Sequence, residues 1–210
     1  VAKEGISRID LGEKDPRTAY HWLTRTVAPR PIAWVSTKSP RGKLNLAPFS
    51  YFNAGGANPP SLVFSCTYTR EGKPKDTLRN VRETGEFVVN VVTREVVEAA
   101  NLTSRAFEYE VSEFEEVGLT PAWDTAHVTV PRVAESPIAF ECRVFAIVDH
   151  GNGPLSAHYV IGEVLAVHCD ASLLDEEGMP DPAKIEHCAR LGKSFYLRVR
   201  EEELFELPRP

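Results

Sequence analysis

The 210-residue sequence predicts a mainly β protein, a closed antiparallel β-barrel with short helices packed outside it. Three observations carry this. Strand-like runs follow one another without the regular intervening helices of a parallel doubly wound sheet. The two longest apolar runs, 138–148 (IAFECRVFAIV) and 159–168 (YVIGEVLAVH), leave no room between them for a crossover helix. Helical patterning is confined to short insertions, chiefly in the middle of the chain. A parallel α/β fold is the alternative, and it would need a βαβ rhythm that 139–168 does not contain.

The elements follow in chain order. Residues 32–37 (IAWVST) form a buried-looking run that Ser36 and Thr37 end, and 40–42 (PRG) supply a turn. Residues 45–52 (NLAPFSYF) return amide and hydroxyl groups into an aromatic-rich run, so that 29–54 joins a β-framework to polar donors. After Pro59-Pro60 comes the strand 61–68 (SLVFSCTY). Residues 75–83 (KDTLRNVRE) read as a helix with Asp76 or Thr77 as N-cap, Leu78 and Val81 three apart, and Gly85 as terminator. The strand 87–93 (FVVNVVT) follows, then a helix over 94–104 with Val97, Ala100 and Leu102 near one face. The DHGNGP sequence at 149–154 reads as a hairpin connection between the two long strands. A third helix is expected within 181–189, with Pro182 in its first turn, and a last strand at 195–200 (FYLRVR). The closing LFELPRP reads as a peripheral tail or a subunit contact. No repeat, linker or compositional shift divides the chain, so one domain over 1–210, with its core at about 20–200, is expected.

Composition narrows the function classes. A formal net charge of -6 argues against non-specific nucleic-acid binding, which needs a basic face, but leaves room for an anionic small ligand. No apolar run reaches the roughly 20 residues of a membrane span. The opening VAKEGISRIDLGEKD lacks the order of a signal peptide, which points to a cytoplasmic protein. Cys66, Cys142, Cys169 and Cys188 form no CxxC pair and read as small buried hydrophobes. Dinucleotide, P-loop, HExxH and GxSxG motifs are absent. His150, His158 and His168 could converge across strands, but no metal-ligand spacing links them, and a metal site is not expected.

What remains is a candidate site for a flat, partly polar ligand. Ser36, Thr37, Asn45, Ser50 and Ser65 offer edge donors. Trp34, Phe49, Phe52 and Tyr196 are either walls of that site or simply core. Lys75-Asp76-Thr77 at a helix start has the ingredients of a phosphate site: free amides, a point charge and a hydroxyl. The competing reading is ordinary capping by Asp76, with Lys75 in solvent and Asp76 at most orienting a basic neighbour.

The motifs PRPIAWVST, NLAPFSYF, KDTLRNVRETGEFVVN, EFEEVGLT, VPRVAESPIAFEC, GEVLAVH and ARLGKSFYLR, over about 30–198, together resemble the flavin reductase-like, FMN-binding split-barrel family. That family includes flavoredoxin and the reductase components of two-component monooxygenases. The resemblance implies an antiparallel, Greek-key type split β-barrel and a homodimer with FMN near the subunit interface. It implies hydride transfer from NAD(P)H to bound flavin, and on to free flavin, a monooxygenase or another electron-transfer partner. Carried over, it places Ser36, Thr37, Asn45, Leu46, Ala47 and Ser50 around the flavin. Ser65 and Cys66 continue that wall, and Lys75 and Thr77 lie by the phosphate. Arg190 becomes a further cofactor-side group, and His127 a candidate on the nicotinamide side. No protein nucleophile is required, since the cofactor carries the chemistry. Two alternatives stand beside this: a flavoredoxin-like FMN electron carrier without efficient NAD(P)H oxidation, and a non-enzymatic β-barrel interaction module.

Overall fold

The computed structural model describes residues 5, 7–109 and 111–208. Part of the opening segment (1–4 and 6) and the end of the tail (209–210) lie outside these; 204–208 are exposed and join no strand.

The first α-helix, α1 (Pro16–Thr26), is one that periodicity does not predict. Its apolar residues Tyr20, Trp22 and Leu23 stay exposed, so no buried stripe marks it. Its signal is local instead. The Asp15 carboxylate accepts from the Arg17 and Thr18 amides, and Pro16 opens the first turn.

The strands β1 (Ala33–Lys38), β2 (Leu44–Phe49), β3 (Phe52–Ala57) and β4 (Pro60–Thr67) follow. Then come α2 (Asp76–Thr84), β5 (Glu86–Val91), α3 (Val97–Leu102) and α4 (Glu113–Val117). Two short strands, β6 (Pro121–Ala122) and β7 (Arg132–Val133), pair with each other. The long hairpin is β8 (Ile138–His150) with β9 (Ala157–Cys169). A small hairpin, β10 (Cys188–Arg190) with β11 (Tyr196–Arg198), ends the fold.

Seven strands form one antiparallel sheet in the order β2-β1-β5-β8-β9-β4-β3. Its edge strands β2 and β3 are consecutive in the chain, and β2 also meets β4. The sheet therefore curls into a split barrel with its seam at β2 and β4. The connection through α2 carries the chain from β4, near one edge, to β5 in the middle, a Greek-key type crossing. Pro48 sits in β2, where an edge strand tolerates a missing N–H.

Strand alternation builds two main cores beside a small cluster of Val88, Val128, Val130 and Ala139. Ala33, Val35, Phe49, Phe64, Phe87 and Val89 fill the barrel, closed by Leu78 and Val81 of α2. Ile32, Trp34, Leu46 and Val92 face outward and are covered by Val96, Ala100 and Phe114. Gly162 is where the Phe87 ring meets the β9 backbone, and a Cβ there would collide with that ring.

Three local expectations are corrected. Lys75, not Asp76 or Thr77, occupies the N-cap of α2, and no side chain caps it; Gly85 does end the helix, at φ 71°. The 94–104 helix shortens to α3. Residues 181–189 form turns and the start of β10, not a helix. There Cys188 donates to the Val92 carbonyl and Arg94 to that of Glu186, so backbone pairing to the end of the β5 segment outweighs the Pro182 signal.

Candidate functional site

The same alternation sorts the predicted site residues onto opposite faces. In β2, Asn45 reaches α2 and Ala47 and Phe49 pack into the barrel, whereas Leu46 joins the outer core and Pro48, with Ser50 just past the strand, borders an outer cleft. In β1, Thr37 reaches Asn45 while Ser36 faces outward; in β4, Cys66 lies in the barrel core and Ser65 on the other face. The predicted set therefore divides into two regions.

The first is a closed polar node. Asn45 Nδ2 donates to Thr37 Oγ1 (3.0 Å) and Thr77 Oγ1 (2.9 Å). Asn80 Nδ2 donates to the same Thr37 Oγ1 (3.0 Å), and the Tyr109 hydroxyl donates to Asn80 Oδ1 (3.1 Å). Thr37, Asn45, Thr77 and Asn80 are all buried. They tie the first turn of α2 to β1 and β2. At the rim, the exposed Lys75 ammonium lies 5.5 Å from the Phe49 ring centroid. Asp76 stands 3.9 Å from Arg79, the basic neighbour it orients, and burial pushes its carboxyl up.

Glu113 of α4 is a buried carboxyl that accepts the Leu46 amide at 2.9 Å. Burial pushes it up to about 7, against the pull of that amide and with a further push from Asp76. Cys66 lies in the barrel core and not on a ligand-facing wall, and burial pushes its thiol up to about 12, so it is no nucleophile. Ser65 Oγ is buried and has no partner among the described residues.

Ser36 and His127 belong to a strap over the outer face of β5. The Ser36 hydroxyl donates to the Pro131 carbonyl (2.7 Å), and the buried Asn90 accepts the Val133 amide (2.8 Å). His127 is exposed, and its amide donates to Glu141 Oε2 at 2.7 Å. Burial raises the Glu141 carboxyl, but the His127 amide, His168 (2.7 Å) and the Ala126 amide together hold it below its usual value. His127 borders neither the node nor the cleft. His158 bonds Asp149 at 2.6 Å, and His150 stacks on Tyr159, so the three strand histidines have separate partners.

The second region is an open cleft of about 210 Å³ between α1, α3, the β2 edge and the β10–β11 hairpin. Ser50 and Arg190 line it together with Tyr20, Asn101, Ser104 and Tyr196. The Arg190 guanidinium stacks 4.5 Å from the Tyr196 ring centroid, and the Tyr196 hydroxyl donates to Asn101 Oδ1 at 3.0 Å. Tyr196 is thus a wall, whereas Trp34 is core, with its indole N–H donated to Thr103 Oγ1 (2.9 Å). Phe49 is core as well, and Phe52 is half-buried against it. The buried Arg30 holds the cleft's frame. Its guanidinium donates to the carbonyls of Thr24, Val27 and Leu191, and its backbone pairs with that of Arg190.

Sequence reading misses Arg30, Asn80, Glu113 and the α1 and α3 residues of the cleft. Asn80 carried a signal, since it stands three residues after Thr77 and shares its helix face. The others act across contacts that no local pattern announces.

The chain matches the family model described as "Flavin reductase like domain" over residues 24–183. It is 39% identical over 187 residues to an uncharacterized protein of Aquifex aeolicus (strain VF5), covering 89% of this chain and 93% of that one. The structure is similar to nitrilotriacetate monooxygenase component B from Bacillus cereus, with a TM-score of 0.90 and 33% identity over 98% of this chain and 100% of that one. It is also similar to the 2-nitrobenzoate 2-nitroreductase NbaA of Pseudomonas fluorescens, with a TM-score of 0.84 and 33% identity over 97% and 96% of the two chains.

Proposed function

The chain belongs to the flavin reductase-like family, and on that premise we propose that it is an FMN-dependent oxidoreductase that takes hydride from NAD(P)H and passes reducing equivalents to free flavin or another acceptor. The observation that carries the cofactor assignment is the amino end of α2, where the N-cap residue Lys75 makes no side-chain capping bond and holds its ammonium over the Phe49 ring. Unpaired helix amides and a nearby cation suit a phosphate. The buried Ser65 hydroxyl, without a partner among the described residues, is a donor that a ligand can engage. These residues fit a flavin mononucleotide.

Bound FMN supplies the hydride chemistry. The chain's own residues bind and orient. Lys75 and the first α2 amides hold the phosphate. Thr37, Asn45 and Thr77 fix where that helix end sits. Ser65 donates to the ligand's polar edge, while Leu46, Ala47 and Cys66 pack into the cores behind the strands that carry the site. Ser36 holds the strap behind β1. Ser50 and Arg190 face the cleft, on the side from which a second reactant enters. Glu113 keeps the Leu46 amide and with it the conformation of the β2 edge. Fixed donors of this kind favour a reduced, anionic ring without reorganisation.

A second copy of the chain is the proposed cover for the exposed apolar side chains of β8 and β9, Phe145 (76% exposed), Val148 and Val167, in a homodimer with FMN near the interface. The Bacillus cereus structure is that of a monooxygenase component, which supports a monooxygenase or electron-transfer protein as acceptor. The four cysteines are unpaired, in keeping with a cytoplasmic location. No described helix is long and apolar enough to cross a membrane.

Anaerobic mixing of the FMN-loaded protein with NADH or NADPH tests the reading. The expected result is loss of the oxidised flavin's visible absorbance. Bleaching only by a protein donor would make the chain an electron carrier, and a protein that binds no FMN would overturn the proposal.

A further inference from the structure

The cleft has a chemistry of its own. Its charged and aromatic walls are Tyr20 of α1 and Arg190 and Tyr196 of the β10–β11 hairpin. Ile32, Pro48 and Val97 give it an apolar floor, and Ser50, Asn101 and Ser104 add small polar groups.

Arg190 is the one charged residue lining the cleft, and among the described residues no carboxylate pairs with it. Only its Nη2 is engaged, by the Lys193 carbonyl at 2.9 Å. Stacking on Tyr196, at 4.5 Å, holds the guanidinium plane in place. A fixed planar fork with donors to spare matches a carboxylate. The Ser50 hydroxyl makes no hydrogen bond among the described residues and stands on the same cleft. The cleft's volume, about 210 Å³, lies below the roughly 300–1,000 Å³ of pockets that enclose drug-sized ligands. It suits one ring.

We propose that this cleft binds a monocyclic aromatic carboxylate, with the carboxylate on Arg190 and Ser50 and the ring against the Pro48 and Ile32 floor. The site is distinct from the one proposed for FMN and does not depend on flavin being bound.

The test is calorimetric titration of the full chain with benzoate and with benzamide, as purified and after saturation with FMN. Benzoate is expected to bind in both states, and benzamide about tenfold or more weaker, because it lacks the charge that Arg190 meets. Arg190→Gln should weaken benzoate about tenfold or more, and Ser50→Ala by less; Ser50→Ala keeps the test alive if Arg190→Gln fails to fold. Lys75→Ala should leave benzoate binding unchanged while weakening FMN, which separates failure of this proposal from failure of the flavin assignment. Equal binding of benzamide, an unchanged Arg190→Gln, or no benzoate binding overturns the proposal. Loss of benzoate binding on FMN saturation also overturns it, by making the cleft the flavin's own.

Discussion

The polar node under β2 and the cleft outside it share a strand but differ in how their polar atoms are engaged. In the node, Asn45, Thr37, Thr77 and Asn80 meet one another, and each is buried. In the cleft, Arg190 and Ser50 keep free donors beside open volume. Residues whose hydrogen bonds close on themselves hold the frame, and residues with capacity left over await a ligand. Arg30 is frame and Arg190 is not, so residue type alone does not separate them.

Breaking the node should give the largest effect. Asn45→Ala leaves Thr37 and Thr77 without a shared donor in a buried place. We expect a loss of about 2–4 kcal/mol in stability by urea unfolding, within the range for a disrupted buried network. Ser50→Ala, just past the other end of the strand, should change stability by no more than about 0.5 kcal/mol. Equal losses from the two variants would erase the distinction between the regions.

The barrel is legible in the sequence because its strands are continuous β-branched and aromatic runs bounded by Gly and Pro, as at 138–148 and 159–168. The hairpin between them is equally plain in DHGNGP. α1 is not legible by periodicity, since Trp22 and Leu23 remain exposed and only Asp15-Pro16 marks its start. The predicted 181–189 helix fails because a lone Pro signal competes with backbone pairing to residues 92–94, a long-range contact. For the site, the residue types are legible and their faces are not. Asn45 and Ser50 stand five apart in one polar run, and only the strand's orientation shows that one faces α2 and the other the cleft. Glu113 and Arg30 escape because each acts on a backbone amide or carbonyl distant in sequence.

Glu113 sharpens the comparison through pH. Its folded carboxyl titrates at about 7, above the ordinary 4.5, so the folded state keeps a proton that the unfolded state has lost between those values. Stability therefore falls as pH rises from about 4.5 to about 7, and the penalty is complete above that range. Glu113→Gln keeps an acceptor for the Leu46 amide and removes the charge. At pH 8 it should raise stability relative to the parent by at most about 2–3 kcal/mol, and at pH 4 it should do nearly nothing. Asp76, also raised by burial, leaves a residual slope of the same sign. Urea midpoints of the two proteins across this range check the prediction, and parallel curves would refute it.

Lys75→Ala tests whether the node's rim, unlike its interior, is built for a ligand. Lys75 is exposed and makes no side-chain capping bond, so stability should hold to within about 0.5 kcal/mol. FMN affinity should fall about tenfold, the loss of one charge-assisted bond to phosphate. Fluorescence titration of the apo-protein with FMN reads this directly, and unchanged affinity would return Lys75 to solvent.

Ser65→Ala carries the smallest effect and the most informative sign. The hydroxyl is buried without a partner among the described residues, so the ligand-free fold gains nothing from it. Removing it should leave the apo-protein equally stable or stabilise it by up to about 1 kcal/mol. If the hydroxyl instead waits for the flavin, the same substitution should weaken FMN about three- to tenfold. A node residue cannot give that pair of signs, because its loss costs the fold directly. Thermal unfolding without FMN, paired with FMN titration, measures both. Lower apo stability with unchanged FMN affinity would move Ser65 from the ligand-facing residues to the frame.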